Sequence, residues 1–359
     1  MKKIYSLTLL LFVIVGFAQP SATYYNNATG TGYTLKTQLY NIIKGHTDRG
    51  YDGLYVTYQT SDRDYFYEND GTILDMYSEN PTGVDPYNYS SGSTQRCGNY
   101  SAEGDCYNRE HIIPQSVFNS SSPMVSDAHF ITPTDGKVNG ERSNYPHGKV
   151  GNASITTANG SKLGSAINSG YAVGFTGTVF EPIDEFKGDI ARMYFYFATR
   201  YENLVAGYSY AAFNGTSNQV FTNAYLNILL IWNAQDPVSP REVARNNAVF
   251  ARQGNRNPFI DDSSYVTRIW GSPLANSTFD TLASVSIYPN PTNDNRITIE
   301  SESNLDSIEL INLNGQMMQY IKKPILNNHT YTLENLPQGF YFLKLSANNQ
   351  TTTKKVIVN

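Results

Sequence analysis

The chain has 359 residues, 40% of them hydrophobic and only 16% charged, with 28 Tyr, 27 Gly and a net charge of −5. That length accommodates two or three domains, and so few charges exclude both a coiled coil and blanket disorder. The acidic balance also excludes a protein that coats nucleic acid with a general positive potential, so a nucleic-acid enzyme here needs a local basic surface.

Residues 1–18 read as a signal peptide. Lys2 and Lys3 form the basic start, Leu7 to Val15 the apolar stretch, and Gly16-Phe17-Ala18 a small-residue cleavage site. The apolar run falls short of the ~20 residues a membrane span needs, and no later segment approaches one. Export makes Cys97 and Cys106, which close one short loop, a disulfide pair worth ~2–3 kcal/mol rather than a zinc site, since two thiols alone cannot complete a zinc shell.

From residue 19 to 270 the pattern is α+β. Tyr-rich stretches at 51–58 and 65–77 predict strands and turns. Apolar residues at helical spacing (Ile190, Met193, Tyr194, Phe197) predict a helix over 185–201, with two more over 223–232 and 241–252, the last entered through Ser239-Pro240. Residues 271–282 read as a linker. Beyond it, 283–359 show six short alternating runs separated by Asn, Gly and Pro turns, a small all-β sandwich. Between 19 and 270 there are 18 basic and 24 acidic residues; from Gly271 onward there are six and seven, so the negative charge belongs to the first unit.

Three of the five histidines, His111, His129 and His147, fall within residues 107–149, beside Glu110, Asn139 and Arg142. Glu110 and Asn139 are hard oxygen donors suited to Mg²⁺ or a similar cation. His111 is a candidate general base near neutral pH. Arg142, three residues after Asn139, shares its face on a helix and suits phosphate. Together they describe metal-assisted attack of water on a phosphodiester. Adjacent Glu110 and His111 serve one site only if the strand ends or bulges between them, which Pro114 favours.

The sequence AsnArgGluHisIleIleProGlnSer (108–116), followed by LysValAsnGlyGluArgSerAsn (137–144), resembles the secreted endonuclease I family of non-specific nucleases. The resemblance runs over most of 30–270 and includes residues 188–196 and 253–261. It implies a ββα-metal core with additional helices, with His111 as the base that activates water and Glu110 and Asn139 as ligands to one Mg²⁺ (Mn²⁺ and Ca²⁺ being alternatives). It further implies a metal-bound water that protonates the leaving 3′ oxygen, 5′-phosphate products, and DNA together with RNA as substrates. Arg142 reads as a phosphate or scaffold contact. The loop 115–126 lacks the arginine with which some relatives hold the product phosphate, and Arg192 is a candidate for that task, with Arg109 a further substrate contact. His129 reads as structural before ligand, His147 as a loop residue, and Asn255–Phe259 as turn and packing chemistry.

Residues 283–359 resemble the C-terminal sorting domain of the type IX secretion system, carried by SerIleTyrProAsnPro (286–291), GluLeuIleAsnLeuAsnGlyGln (309–316) and the terminal LysLysValIleValAsn. The resemblance implies passage through that machinery to the cell surface or medium. An accessory carbohydrate-binding sandwich is the alternative, and the expected lack of exposed aromatic clusters weighs against it. The chain thus reads as a secreted, monomeric metal-dependent endonuclease with little sequence preference and modest, weakly salt-dependent affinity. A surface adhesin with a structural metal site is the alternative. A metallopeptidase is disfavoured by the absence of a HisGluXaaXaaHis pair.

Overall fold

The structure, a computed structural model, describes residues 21–271, 285–301, 304–347 and 350–359. The signal peptide and all of the linker but Gly271 lie outside the described residues. The chain divides into two units at Pro273/Leu274.

The first unit opens with α1 (Gly32–Ile43) and α2 (Gly53–Ser61). The strand expected over 51–58 is therefore a helix: Leu54, Tyr55, Tyr58 and Ser61 are buried, a spacing of three to four that overrides the β preference of tyrosine. The stretch 65–77 is turns with one bridge residue, Ile73, rather than a strand.

The site is carried by β1 (Tyr107–His111), its antiparallel partner β2 (Ile131–Asp135) and α3 (Gly136–Arg142). Asp135 ends β2 and caps α3, its Oδ1 accepting from the Val138 N–H at 2.8 Å. A three-stranded sheet follows, β3 (Val150–Thr156), β4 (Lys162–Ala166) and β5 (Thr178–Glu181), in the order β3-β4-β5.

Behind it run α4 (Lys187–Arg200), buried along its whole length, α5 (Asn223–Gln235), α6 (Pro240–Gln253), α7 (Pro258–Asp261) and α8 (Ser264–Trp270). The three helices expected from apolar spacing are α4, α5 and α6. Ser239 and Glu242 form a reciprocal capping box at the start of α6, with Pro240 in the first turn. Arg245 of α6 reaches Asp62 Oδ1 (2.7 Å) and the Ile131 carbonyl (2.9 Å), tying α2 and β2 together. The core is strongly aromatic: Phe118, Phe130, Phe197 and Tyr201 pack at centroid distances of 4.9–6.2 Å beneath the end of β1.

Among its described residues the second unit has seven strands, β6 (Ser286–Tyr288), β7 (Ile297–Glu300), β8 (Ser307–Asn312), β9 (Met317–Lys322), β10 (Thr330–Leu333), β11 (Gly339–Ala347) and β12 (Gln350–Val358). They form a sheet of order β10-β7-β6 and another of order β12-β11-β8-β9 around their own core. The strand beyond the six expected is β9, an edge strand whose Met317, Met318 and Tyr320 are exposed and so lack a buried alternation. The expected lack of exposed aromatics is also corrected. Phe340 and Phe342 of β11 stand on the outer face, because Tyr341, Leu343 and Leu345 already fill the inner one.

Candidate active site

A cavity of about 200 Å³ opens where β1 ends and α3 passes, and its walls include Tyr51, Arg109, Glu110, His111, Gln115 and Asn139. Glu110 and His111 both reach it because β1 terminates at His111, so the strict alternation of a strand no longer separates them.

Glu110 is 1% exposed. Its Oε1 accepts from Tyr77 Oη–H at 2.9 Å and pairs with Arg142 Nη1 at 3.0 Å. Burial pushes its pKa up, opposed by Arg142 and the Tyr77 hydrogen bond. Oε2 has no hydrogen bond among the described residues. Asn139 donates Nδ2 to the Arg109 carbonyl at 3.4 Å, leaving Oδ1 as its free acceptor on the cavity wall. Two unsatisfied hard oxygens on one polar cavity fit a Mg²⁺-class cation.

His111 Nε2–H donates to the Val125 carbonyl at 3.2 Å, and Nδ1 accepts from Gln115 Nε2 at 3.4 Å. That pairing fixes the neutral tautomer with Nδ1 as the basic nitrogen. Burial is the largest influence on the imidazole and brings its pKa down to about 4, over the raising effect of the Val125 and Arg109 backbone contacts. The ring is backed by Phe118 and Phe130 at 6.2 and 6.3 Å.

The arginines divide. Arg109 borders the cavity, its guanidinium 3.5 Å over the Tyr51 ring and 2.9 Å from exposed Asp52. Arg142 is 1% exposed, and besides Glu110 it donates to the His111 and Ile112 carbonyls at 2.8 and 2.6 Å, which is the scaffold form of contact. The expectation that Arg192 contacts substrate is corrected. It is fully buried in α4, forked onto Glu242 at 2.6 and 2.7 Å and bonded to the Asp236 carbonyl at 2.8 Å, with no access to the cavity.

His129 is buried, bonding the Asn255 carbonyl at 2.8 Å and packing on Tyr196, a structural residue as expected. Asn255 donates to the Ile43 carbonyl and Tyr196 Oη, and Asn257 caps α7, which bears out turn and packing chemistry there. His147 lies in the connection between α3 and β3, as expected, but it is not a plain surface loop residue. It is fully buried with Nε2 2.8 Å from Tyr77 Oη and Nδ1 3.2 Å from Tyr194 Oη. Because the Tyr77 proton goes to Glu110, His147 Nε2–H donates to Tyr77 and Nδ1 accepts from Tyr194, giving one directed chain behind the carboxylate.

Sequence reasoning missed Tyr77, Gln115 and the paired acids Asp75 and Asp135. Asp75 Oδ2 accepts the Asp135 N–H at 2.8 Å, and Asp135 Oδ2 accepts from Tyr89 Oη and the Gly104 N–H. Only Gln115 had a local signal, since it stands in the motif. Cys97 and Cys106 form a disulfide with their Cα atoms 5.1 Å apart, and its loop lies against the start of α3.

The family model described as Endonuclease I matches residues 31–264, and that of the secretion system C-terminal sorting domain matches 286–359. The chain is 34% identical to an extracellular ribonuclease of Bacillus amyloliquefaciens, over 70% of this chain and 80% of the relative. It is 33% identical to an extracellular ribonuclease of Bacillus subtilis (strain 168), over 72% and 83%. A more distant relative is an endonuclease-1 of Buchnera aphidicola subsp. Baizongia pistaciae, 27% identical over 38% of this chain and 46% of that one.

Proposed function

We propose, for a chain that belongs to the endonuclease I family and ends in a type IX sorting domain, a metal-dependent endonuclease that cuts DNA and RNA to 5′-phosphate products with little sequence preference. The protein is a nuclease, secreted or cell-surface, and among the described residues no helix is long and apolar enough to cross a membrane. Nucleases of this family are metal-dependent. The observation that carries the reading is the convergence of Glu110, Asn139 and a neutral His111 on one cavity.

Glu110 Oε2 and Asn139 Oδ1 are the atoms that would hold the ion. Bound there, Mg²⁺ would supply positive charge against the phosphate oxygens of the scissile diester. His111 Nδ1 takes a proton from the attacking water as its oxygen bonds to phosphorus, and Nε2–H, donated to Val125, holds the ring in place. The bond from phosphorus to the 3′ oxygen breaks, that oxygen takes a proton from solvent water, and the phosphate stays on the 5′ oxygen of the downstream nucleotide. Burial keeps the imidazole unprotonated across the neutral range, so Nδ1 is open to a proton, while the lowered pKa weakens it as a base. Arg109, stiffened on Tyr51, is the cation offered to the backbone phosphate. No element of the first unit carries a base-reading motif, so binding rests on a few phosphate contacts. The sorting domain is the address read by the type IX machinery, and the nuclease acts as a monomer.

The test is degradation of plasmid DNA and of RNA by the full chain and by Glu110→Gln, each with Mg²⁺ and with EDTA, followed by end analysis. Metal-dependent cleavage of both substrates to 5′-phosphate ends, lost in Glu110→Gln, is expected. Cleavage that persists in EDTA, or ends carrying 3′-phosphate, would refute the mechanism.

A further inference from the structure

Away from the cavity, Asp64, Glu68 and Glu79 each bring a carboxylate oxygen within 4.8 Å of the others. All three belong to the turn-rich segment between α2 and β1, and none lines the catalytic cavity. Asp64 is well satisfied: its two oxygens accept the N–H groups of Phe66, Tyr67 and Asn69 at 3.0–3.1 Å, which fixes the loop around it.

Glu79 is different. It is 1% exposed, its backbone is held by Asp75 and Asn159, and its Oε1 is buried without a hydrogen-bond partner among the described residues. A buried carboxylate facing two others needs a proton or a cation. The basic group that acts on it, Arg241, is already paired with Asp189 and lies over the Phe186 ring. Burial, then Asp85, Glu68 and Asp64, push the Glu79 pKa up to about 9, and Asp85 itself is raised to about 6, chiefly by burial. Arg241 offsets only part of this, so the three carboxylates carry an excess of negative charge.

We propose that Asp64, Glu68 and Glu79 form a second, structural divalent-cation site that takes Ca²⁺. The donors are all carboxylate oxygens. Such a set, partly on a loop that can adjust, suits the larger and less geometrically demanding Ca²⁺ over Mg²⁺. The ion would clamp the loop at Asp64 to the turn at Glu79. Between those two ends lie Asp75, which holds the Asp135 N–H, and Tyr77, which holds Glu110. The site thus supports the segment that orders the catalytic carboxylate, and it stands whether or not the cavity works as a nuclease.

The experiment is thermal unfolding of the full chain in EDTA and in 10 mM Ca²⁺, for the wild type, Glu79→Gln, Glu68→Gln and Glu110→Gln. A site with the ~0.1–1 mM dissociation constant of extracellular calcium modules raises Tm by ~3–10 °C. The wild type and Glu110→Gln are expected to show that rise, Glu79→Gln to lose it, and Glu68→Gln to need ~10-fold more Ca²⁺. Glu68 is exposed, so that variant keeps the test decisive even if Glu79→Gln fails to fold. Terbium luminescence sensitised by neighbouring Tyr67 should follow the same order. No Ca²⁺ response, or a response kept in Glu79→Gln and Glu68→Gln but lost in Glu110→Gln, would overturn the proposal; the latter would put the ion in the cavity.

Discussion

Arg142 Nη1 stands 3.0 Å from Glu110 Oε1 while the same guanidinium donates to the His111 carbonyl at 2.8 Å. One buried arginine therefore holds the side chain of Glu110 and the backbone of the neighbouring His111. It also occupies one carboxylate oxygen, which directs the other toward the cavity. Removing it leaves Glu110 as an unpaired buried charge. Arg142→Gln should lose ~3–5 kcal/mol of unfolding free energy, read by urea denaturation in EDTA. A loss below ~1 kcal/mol would mean that the guanidinium is not the anchor of the site.

Tyr77 orients Glu110 through the same oxygen, Oε1, and is backed by His147 and Tyr194. Tyr77→Phe keeps the ring and deletes the hydroxyl. The Mg²⁺ concentration for half-maximal activity should rise ~10–100-fold, with turnover at saturating metal much less affected. Equal loss at all metal concentrations would argue against a positioning role.

Arg109 and Arg192 offer a contrast of surface and core. Arg109→Ala should raise KM for nucleic acid and lower the log–log salt slope by about one. Arg192→Met should lower stability by several kcal/mol, since it strands Glu242 in the interior, while KM stays near wild type. Titrations of affinity against salt, beside urea curves, separate the two.

The disulfide loop braces the helix that carries Asn139. A Cβ at Gly136 would collide with Cys97 Sγ and the Tyr100 ring, so α3 begins in direct contact with that loop. Cys97→Ser/Cys106→Ser should cost ~2–3 kcal/mol in urea unfolding. Gly136→Ala should depress stability and metal affinity together, whereas Gly140→Ala meets the movable Tyr100 hydroxyl end and should be milder.

Stability should fall in acid before the carboxylates titrate. Burial holds His129 at about 4, below the ~6.5 of an unfolded histidine, so the unfolded chain binds more protons between those values. The stability that neutral His129 contributes is complete above about pH 6.5 and is lost as pH falls toward 4, ~3 kcal/mol in all. Asp127, held at about 2 by its charged and hydrogen-bonding neighbours although burial opposes this, adds a further loss below about pH 4. His129→Gln should make the urea-midpoint profile shallower between pH 6.5 and 4 while lowering it at pH 7, the remaining slope coming from His111 and His147, whose pKa values burial also lowers.

Much of the site was legible because it is local. Glu110 and His111 are adjacent, Asn139 and Arg142 share one helix, and a scarce residue type marks the segment. What was not legible depends on long-range pairing. Tyr77 lies in a stretch without periodicity and gains its role from a carboxylate 33 residues away. His147 follows Pro146 in sequence that looks like a turn, yet α4 and β5 bury it. Arg192 carries the same charge as a phosphate contact, and only the position of Glu242, 50 residues on, assigns it to the core. In the fold, α2 was hidden by β-favouring tyrosines, and β9 by exposed apolar residues at a sheet edge.

The most direct measurement is the single-turnover cleavage rate of His111→Ala at saturating Mg²⁺, together with the metal concentration it needs for half-maximal rate. If His111 is the base and Glu110 with Asn139 holds the ion, the rate should fall ~10²–10⁴-fold while the metal requirement stays within a few-fold of wild type. A rate within about tenfold of wild type would contradict His111 as the group that takes the proton from water.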